Sequence, residues 1–203
     1  FDNTQNAFAY KSTGDLKKAR FLFSVIQSPL VVSLATKLTP ALMQSGLPIN
    51  GLIRSTIFNQ FVGGETLEES ARVVKQLSAY NVQVILDYGV EGGEDGEKEF
   101  NYAANEFNNV ITYAATQPNI PFMSIKVTGF ARFSLLEKLD TEMHKAEGSL
   151  MKRYLYVTHN LSIADKIEWQ NVRNRLVRIC ENAAQKNIGV LVDAEESWIQ
   201  DPV

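Results

Sequence analysis

Cysteine is nearly missing from this chain. Cys180 stands alone among 203 residues, which excludes an internal disulfide framework and fits a reducing compartment. Its neighbours are helical, so a buried, inert thiol is expected. Histidine is almost as scarce: His144 and His159 have no second ligand at metal spacing, and no metal site is expected. No stretch reaches the ~20 apolar residues of a membrane span. The most apolar run, Phe21 to Leu38, contains Gln27, Ser28 and Pro29 and reads as two short helices broken near the proline. Packing on the rest of the protein is the expected use of these helices, with docking on a membrane surface as the other. An excess of positive charge is also lacking: the net charge of −3 offers no basic field for nucleic acid. No G-x-G-x-x-G follows a strand, which disfavours a dinucleotide-binding sheet and favours a barrel. The chain begins at Phe1 without a methionine, so residues ahead of it, with any targeting segment, are expected to be missing.

The composition that remains, 45% apolar and 21% charged, is that of one ordered soluble domain or a little more. Residues 1–64 carry no strand pattern and read as a helical arm. Asp15 to Ile26, Pro29 to Ser45 and Asn50 to about Phe61 are its helices, and Gly63-Gly64 is a hinge. From residue 65 the pattern changes. Thr66-Leu67-Glu68-Glu69 forms a capping box, followed by Leu67, Ala71, Val74 and Leu77 at helical spacing. Strands are predicted over 82–88, 122–128 and 188–195. Helices are predicted over 97–117, 133–139 and 162–186, with a loop holding Glu91, Gly92, Gly93 and Gly96. Residues 140–160 read as a polar and aromatic insertion in which Tyr154 and Tyr156 alternate as in an extended segment. Trp169 is assigned to a packed helix face. Trp198 fits a cover over the sheet as well as a surface position. Arg173, Arg175 and Arg178 read as a solvated face. Strand, helix, strand, helix, strand is the sequence form of a parallel α/β sheet.

Each predicted strand ends in charge: Asp87 on the first, Lys126 on the second, Asp193 on the third. The second strand reads Phe122-Met123-Ser124-Ile125-Lys126-Val127-Thr128, with Ser124, Lys126 and Thr128 on one face. Strands of parallel sheets are normally apolar on both faces, so a lysine there needs a reason. Alternation puts Asp87 in phase with Ile85, and Asp193 in phase with Leu191. If these faces coincide, Asp87, Lys126 and Asp193 converge at the carboxyl ends of the strands, where barrel enzymes carry their chemistry. An ion pair closing the barrel end is the structural alternative. Glu195 shares the face of Asp193, and Glu196 has the opposite parity.

Phe61-Val62-Gly63-Gly64-Glu65, Ile85-Leu86-Asp87-Tyr88-Gly89-Val90-Glu91, Ser124-Ile125-Lys126-Val127-Thr128 and Val192-Asp193-Ala194-Glu195 resemble, in order, the first blocks of proline dehydrogenase. The resemblance covers nearly all of the chain and extends to the segment between the second and third strands. It implies a (β/α)8 barrel that binds FAD, oxidises L-proline to 1-pyrroline-5-carboxylate and passes electrons to a membrane quinone. It also implies a cytoplasmic or peripheral place on the inner face of a bacterial or mitochondrial inner membrane. Lys126 would lie by the substrate carboxylate. Asp193 would be catalytic at the flavin, with the Ala194 backbone against the FAD, and Asp87 would orient the lysine. The resemblance further implies an arginine pair on a late helix, for which this chain has no adjacent arginines. Three strands against the eight of a complete barrel identify residues 65–203 as its first part. Such a piece is expected to be inactive alone and, through an open edge and face, to self-associate.

Two other functions fit the residues. An aldolase-like barrel could use Lys126 for a Schiff base. Carboxylates beside a lysine favour its charged form, however, and that chemistry needs the neutral amine. A non-catalytic assembly piece would instead use the arm or the insertion as a protein contact.

Overall fold

The computed structural model describes residues 2–45, 48–89 and 96–203, with Leu52 described by its backbone alone. The predicted loop residues Glu91, Gly92 and Gly93 lie outside these. Contacts divide the chain into two compact units, residues 1–82 and 83–203.

The first unit is helical: α1 Thr4–Ala7, α2 Thr13–Ile26, α3 Pro29–Gln44, α4 Asn50–Ile53, a π-helical turn Arg54–Phe58, α5 Asn59–Phe61 and α6 Leu67–Ser78. Local chemistry fixes the starts. Ser12 and Asp15 form a complete capping box at α2, and Pro29 opens α3, where its missing N–H costs nothing. The box predicted at Thr66 is made by half. Thr66 accepts the Glu69 amide at 3.2 Å, while the Glu69 carboxylate takes the Glu65 N–H and pairs with Arg54. The break at Pro29 is where it was predicted, and the two helices meet at 94°. The packing expected of α3 is not found: none of its residues is buried, and Leu30 is 83% exposed.

The second unit contains β1 Ile85–Asp87, α7 Glu97–Ala114, β2 Phe122–Ile125, a 3-10 turn Val127–Gly129, α8 Phe133–Lys145, α9 Leu150–Asn160, α10 Ile163–Gln185 and β3 Gly189–Val192. The strands form a parallel sheet in the order β1-β2-β3, with Ile85 opposite Phe122 and Phe122 opposite Gly189. All three are shorter than predicted, and β2 is cut short because the chain turns into a 3-10 segment directly after Lys126, so Val127 and Thr128 are not strand residues. On the central strand, Met123 and Ile125 are fully buried in the core. The opposite face is open: Ile85 and Phe122, in one register row, and Leu191, two rows on and facing the same way, are 51%, 41% and 40% exposed. Gly189 is required in that face, since a Cβ there would stand 2.4 Å from Cδ1 of the Phe122 ring.

Residues 140–160 are helical apart from the turn at 146–149. α8 runs on to Lys145 instead of stopping near Leu139, and α9 replaces the extended reading of Tyr154 and Tyr156. Their apolar positions recur at three and four residues, and this decides the matter. Leu135, Leu136, Leu139, Met143 and Val157 join Trp169 and Ile199 in one buried cluster. The Trp169 indole N–H donates to the Tyr154 hydroxyl at 3.1 Å. Trp198 is 55% exposed. Cys180 is exposed and not buried as predicted, yet the packing around its sulfur still pushes the thiol pKa up, which keeps the nucleophilic thiolate scarce.

Candidate active site at the strand ends

The register decides which of the charged residues meet. Asp87 pairs with Ser124 and Ser124 with Leu191, so all three stand on one face. The ladder continues past β3: the Asp193 N–H donates to the Ile125 carbonyl at 2.9 Å. This sets Lys126 opposite Asp193, on the same face as Asp87 and Ser124. Asp87 lies one like-facing position back from Lys126, about 6.6 Å along the strand direction at ~3.3 Å per residue. The expected convergence of faces is therefore present, though the three charges are not level.

Side-chain contacts tie the ends together. The Ser124 hydroxyl donates to Asp193 Oδ1 at 2.7 Å. Thr128 donates both its hydroxyl, at 3.1 Å, and its N–H, at 3.3 Å, to Glu195 Oε1. The Glu195 N–H in turn donates to Gln200 Oε1 at 2.8 Å. Ser124 and Thr128 are buried, Asp193, Glu195 and Lys126 half-buried, and Asp87, Ala194 and Glu196 exposed. Sequence reading had placed Ser124 and Thr128 on the polar face without giving them a task. The signal for Ser124 is strand alternation, which puts a hydroxyl two residues before Lys126 on its face, whereas Thr128 reaches Glu195 from the 3-10 turn.

A buried arginine supports this end of the sheet from behind, where the sequence suggested a solvated one. Arg175 is 3% exposed. Its Nε donates to the Phe130 carbonyl at 3.1 Å, and Nη1 to Glu97 Oε2 at 2.8 Å and Asn101 Oδ1 at 3.2 Å. One side chain on α10 thus joins the segment following Lys126 to the first turn of α7. Spacing hid it, because Arg173, Arg175 and Arg178 spread around the helix and only packing separates them. The Arg132 guanidinium makes a bidentate pair with Glu168 at 3.0 and 2.9 Å and fixes the start of α8.

Among the described residues, Asp140, His144 and Asp201 hold the one group of acids and histidine close enough to share a cation. Internal partners occupy it. Asp140 Oδ1 accepts the Asp201 N–H at 3.0 Å, His144 Nδ1 is 2.9 Å from Asp140 Oδ2, and Arg153 pairs with Asp201 at 3.3 Å. The group is a clasp between α8 and the end of the chain.

A short parallel sheet, closed on one face by helices and carrying polar groups at the carboxyl ends of its strands, defines an α/β protein whose candidate site lies in the usual place for that class. Comparison with known proteins makes this specific. Residues 70–203 match the family model for proline dehydrogenase, and the chain belongs to that family. It is 26% identical over 220 residues to proline dehydrogenase 1, mitochondrial, of Dictyostelium discoideum, covering 98% of this chain and 38% of that protein. It is also 26% identical over 217 residues to mouse hydroxyproline dehydrogenase, covering 95% and 48%. A shorter match, 35% over 94 residues, joins it to proline dehydrogenase 1, mitochondrial, of Caenorhabditis elegans, covering 45% and 15%. The chain spans less than half the length of each of these relatives.

Proposed function

We propose that this chain is part of an FAD-dependent enzyme that oxidises L-proline to 1-pyrroline-5-carboxylate and passes the electrons to a membrane quinone. Its place is then peripheral on the inner face of a bacterial or mitochondrial inner membrane, or the cytoplasm beside it. The three strands form the first arc of a (β/α)8 barrel, and their open face is its interior. The observation that carries the reading is the same-face alignment of Lys126 with Asp193, held by the Ser124 hydroxyl, in a member of this family.

The residues suit the task. An ammonium on a strand end neutralises the proline carboxylate and fixes the ring for transfer. Asp87, two residues back on the neighbouring strand, orients Lys126. Asp193 is the catalytic acid at the cofactor, and Ser124 holds one of its oxygens. An exposed, small Ala194 beside it leaves its backbone accessible to a flat ring system, which fits FAD. When bound, FAD supplies the acceptor for the hydride leaving the proline ring. The chain by itself is inactive, since the site face is open to water, and the same open face and edge lead it to self-associate. The test is the complete gene product. A flavin spectrum with proline-dependent dye reduction is expected; a colourless protein without dye reduction overturns the proposal. Borohydride trapping of a carbonyl substrate on Lys126 would favour Schiff-base chemistry instead.

A further inference from the structure

The charge of the chain is divided unevenly. No acidic residue occurs between Asp15 and Glu65, while Lys17, Lys18, Arg20, Lys37 and Arg54 all fall there. Residues 1–64 hold six cations against two acids, a net +4, in a chain of net −3. The same segment carries a run of exposed apolar side chains. Leu30, Leu34 and Leu38 are 83%, 59% and 47% exposed, and their spacing of four residues lines them along one side of α3. Val31 and Met43 are exposed on other sides of it. α3 is mostly apolar, interrupted by Ser33, Thr36, Lys37 and Thr39, and it buries none of its residues, whereas an apolar helix surface normally faces a protein interior or a membrane. On α2, Phe21 is 70% exposed one helical turn from Lys17.

No single helix is long and apolar enough to cross a membrane. α3 has 16 residues, about 24 Å at 1.5 Å per residue, short of the ~30 Å hydrocarbon core. The 94° angle to α2 prevents the two from acting as one straight span. An apolar helix with several cations beside it and a single acid, Asp15, in the first turn of α2 is instead the pattern of an element lying in a lipid interface.

We infer that α2 and α3 form a monotopic docking surface for an anionic bilayer: the side chains of α3 and Phe21 enter the acyl boundary, and Lys17, Lys18 and Lys37 meet the headgroup phosphates. This deepens the membrane placement of the proposed function by naming the surface, and its test is separable from the test of the chemistry.

The experiment is flotation of the complete protein with phosphatidylcholine vesicles, with and without phosphatidylglycerol, alongside dye reduction without vesicles. Binding to the anionic vesicles that weakens with salt is expected. K17Q/K18Q lowers the partition about 25-fold, at roughly fivefold per lysine near the surface, and L30E/L34E abolishes it. Both variants keep wild-type dye reduction, since neither touches the strand ends. Wild-type protein that stays off anionic vesicles, or variants that bind like wild type, overturn the inference. So does light scattering in which L30E/L34E turns a dimer into a monomer, because the surface is then an interface between copies. Loss of dye reduction in the wild type counts against the chemistry alone.

Discussion

Replacing Arg175 by methionine tests how the site end of the sheet is held. The side chain is 3% exposed, so its stem packs equally well as methionine, and only polar contacts are lost. Three of these contacts join Arg175 to the Phe130 carbonyl and to Glu97 and Asn101 on α7. Hydrogen bonds to a charged group are worth about 1.5–3 kcal/mol each. The Glu97 pair is discounted, because that carboxylate is 42% exposed and water screens and then replaces the guanidinium. The Phe130 carbonyl has no such relief, and orphaning a buried acceptor costs about 1–3 kcal/mol. The sum is a destabilisation of about 2–4 kcal/mol. For a chain of this size that is roughly 4–16 °C in Tm, at about 2–4 °C per kcal/mol. Urea and thermal unfolding read the effect. Exposed Arg178, on the same helix, is the control, and R178M should stay within about 0.5 kcal/mol of wild type. If R175M unfolds together with R178M, the bonds contribute nothing net and the support assigned to Arg175 is refuted.

Other outcomes follow from the same contacts. Met143, wholly buried, should cost about 2–5 kcal/mol as alanine, whereas Tyr156, 65% exposed, should cost under about 0.5 kcal/mol; urea titration distinguishes a packed helix from a surface insertion. His144 has its pKa raised, first by its bond to the Asp140 carbonyl and then by the Asp140 carboxylate. The stabilisation is therefore full below the unfolded value of about 6.5 and is lost as pH rises through the folded value. H144Q should be less stable than wild type at pH 5 and converge with it at alkaline pH, and a constant difference across that range would contradict the clasp. Asp165 has its pKa lowered, first by Lys138 and then by Ser162. Its contribution is present above about 3.8 and lost as pH falls through the folded value, so D165N should flatten acid unfolding. Ser124→Ala in the complete enzyme removes the donor to Asp193 and should lower kcat by about 10- to 150-fold, the worth of one hydrogen bond to a charged group, with the KM for proline little changed.

The fold was readable wherever period and punctuation agreed. The break at Pro29, the long helix from Glu97 and the parallel sheet all followed from spacing. Strand-end charges were readable because a lysine in phase with Ser124 violates the apolar habit of a parallel strand. What the sequence concealed was decided by packing across distance. Arg175 is buried while Arg178 is exposed on the same helix. Two tyrosines two apart suggested a strand, and only Met143 and Val157, spaced for helices and buried together, overrule that reading. Register is also non-local: Lys126 stands opposite Asp193, while Asp87 stands one like-facing position lower.

The central claim is that Lys126, aligned with Asp193 on the open face of the sheet, receives the carboxylate of proline. Lys126→Met in the complete enzyme tests it, with the KM for proline as the readout and the flavin spectrum as the check on folding. A charged hydrogen bond of about 1.5–3 kcal/mol predicts a KM raised about 10- to 150-fold with the flavin still bound. An unchanged KM in a flavin-loaded K126M protein would contradict it.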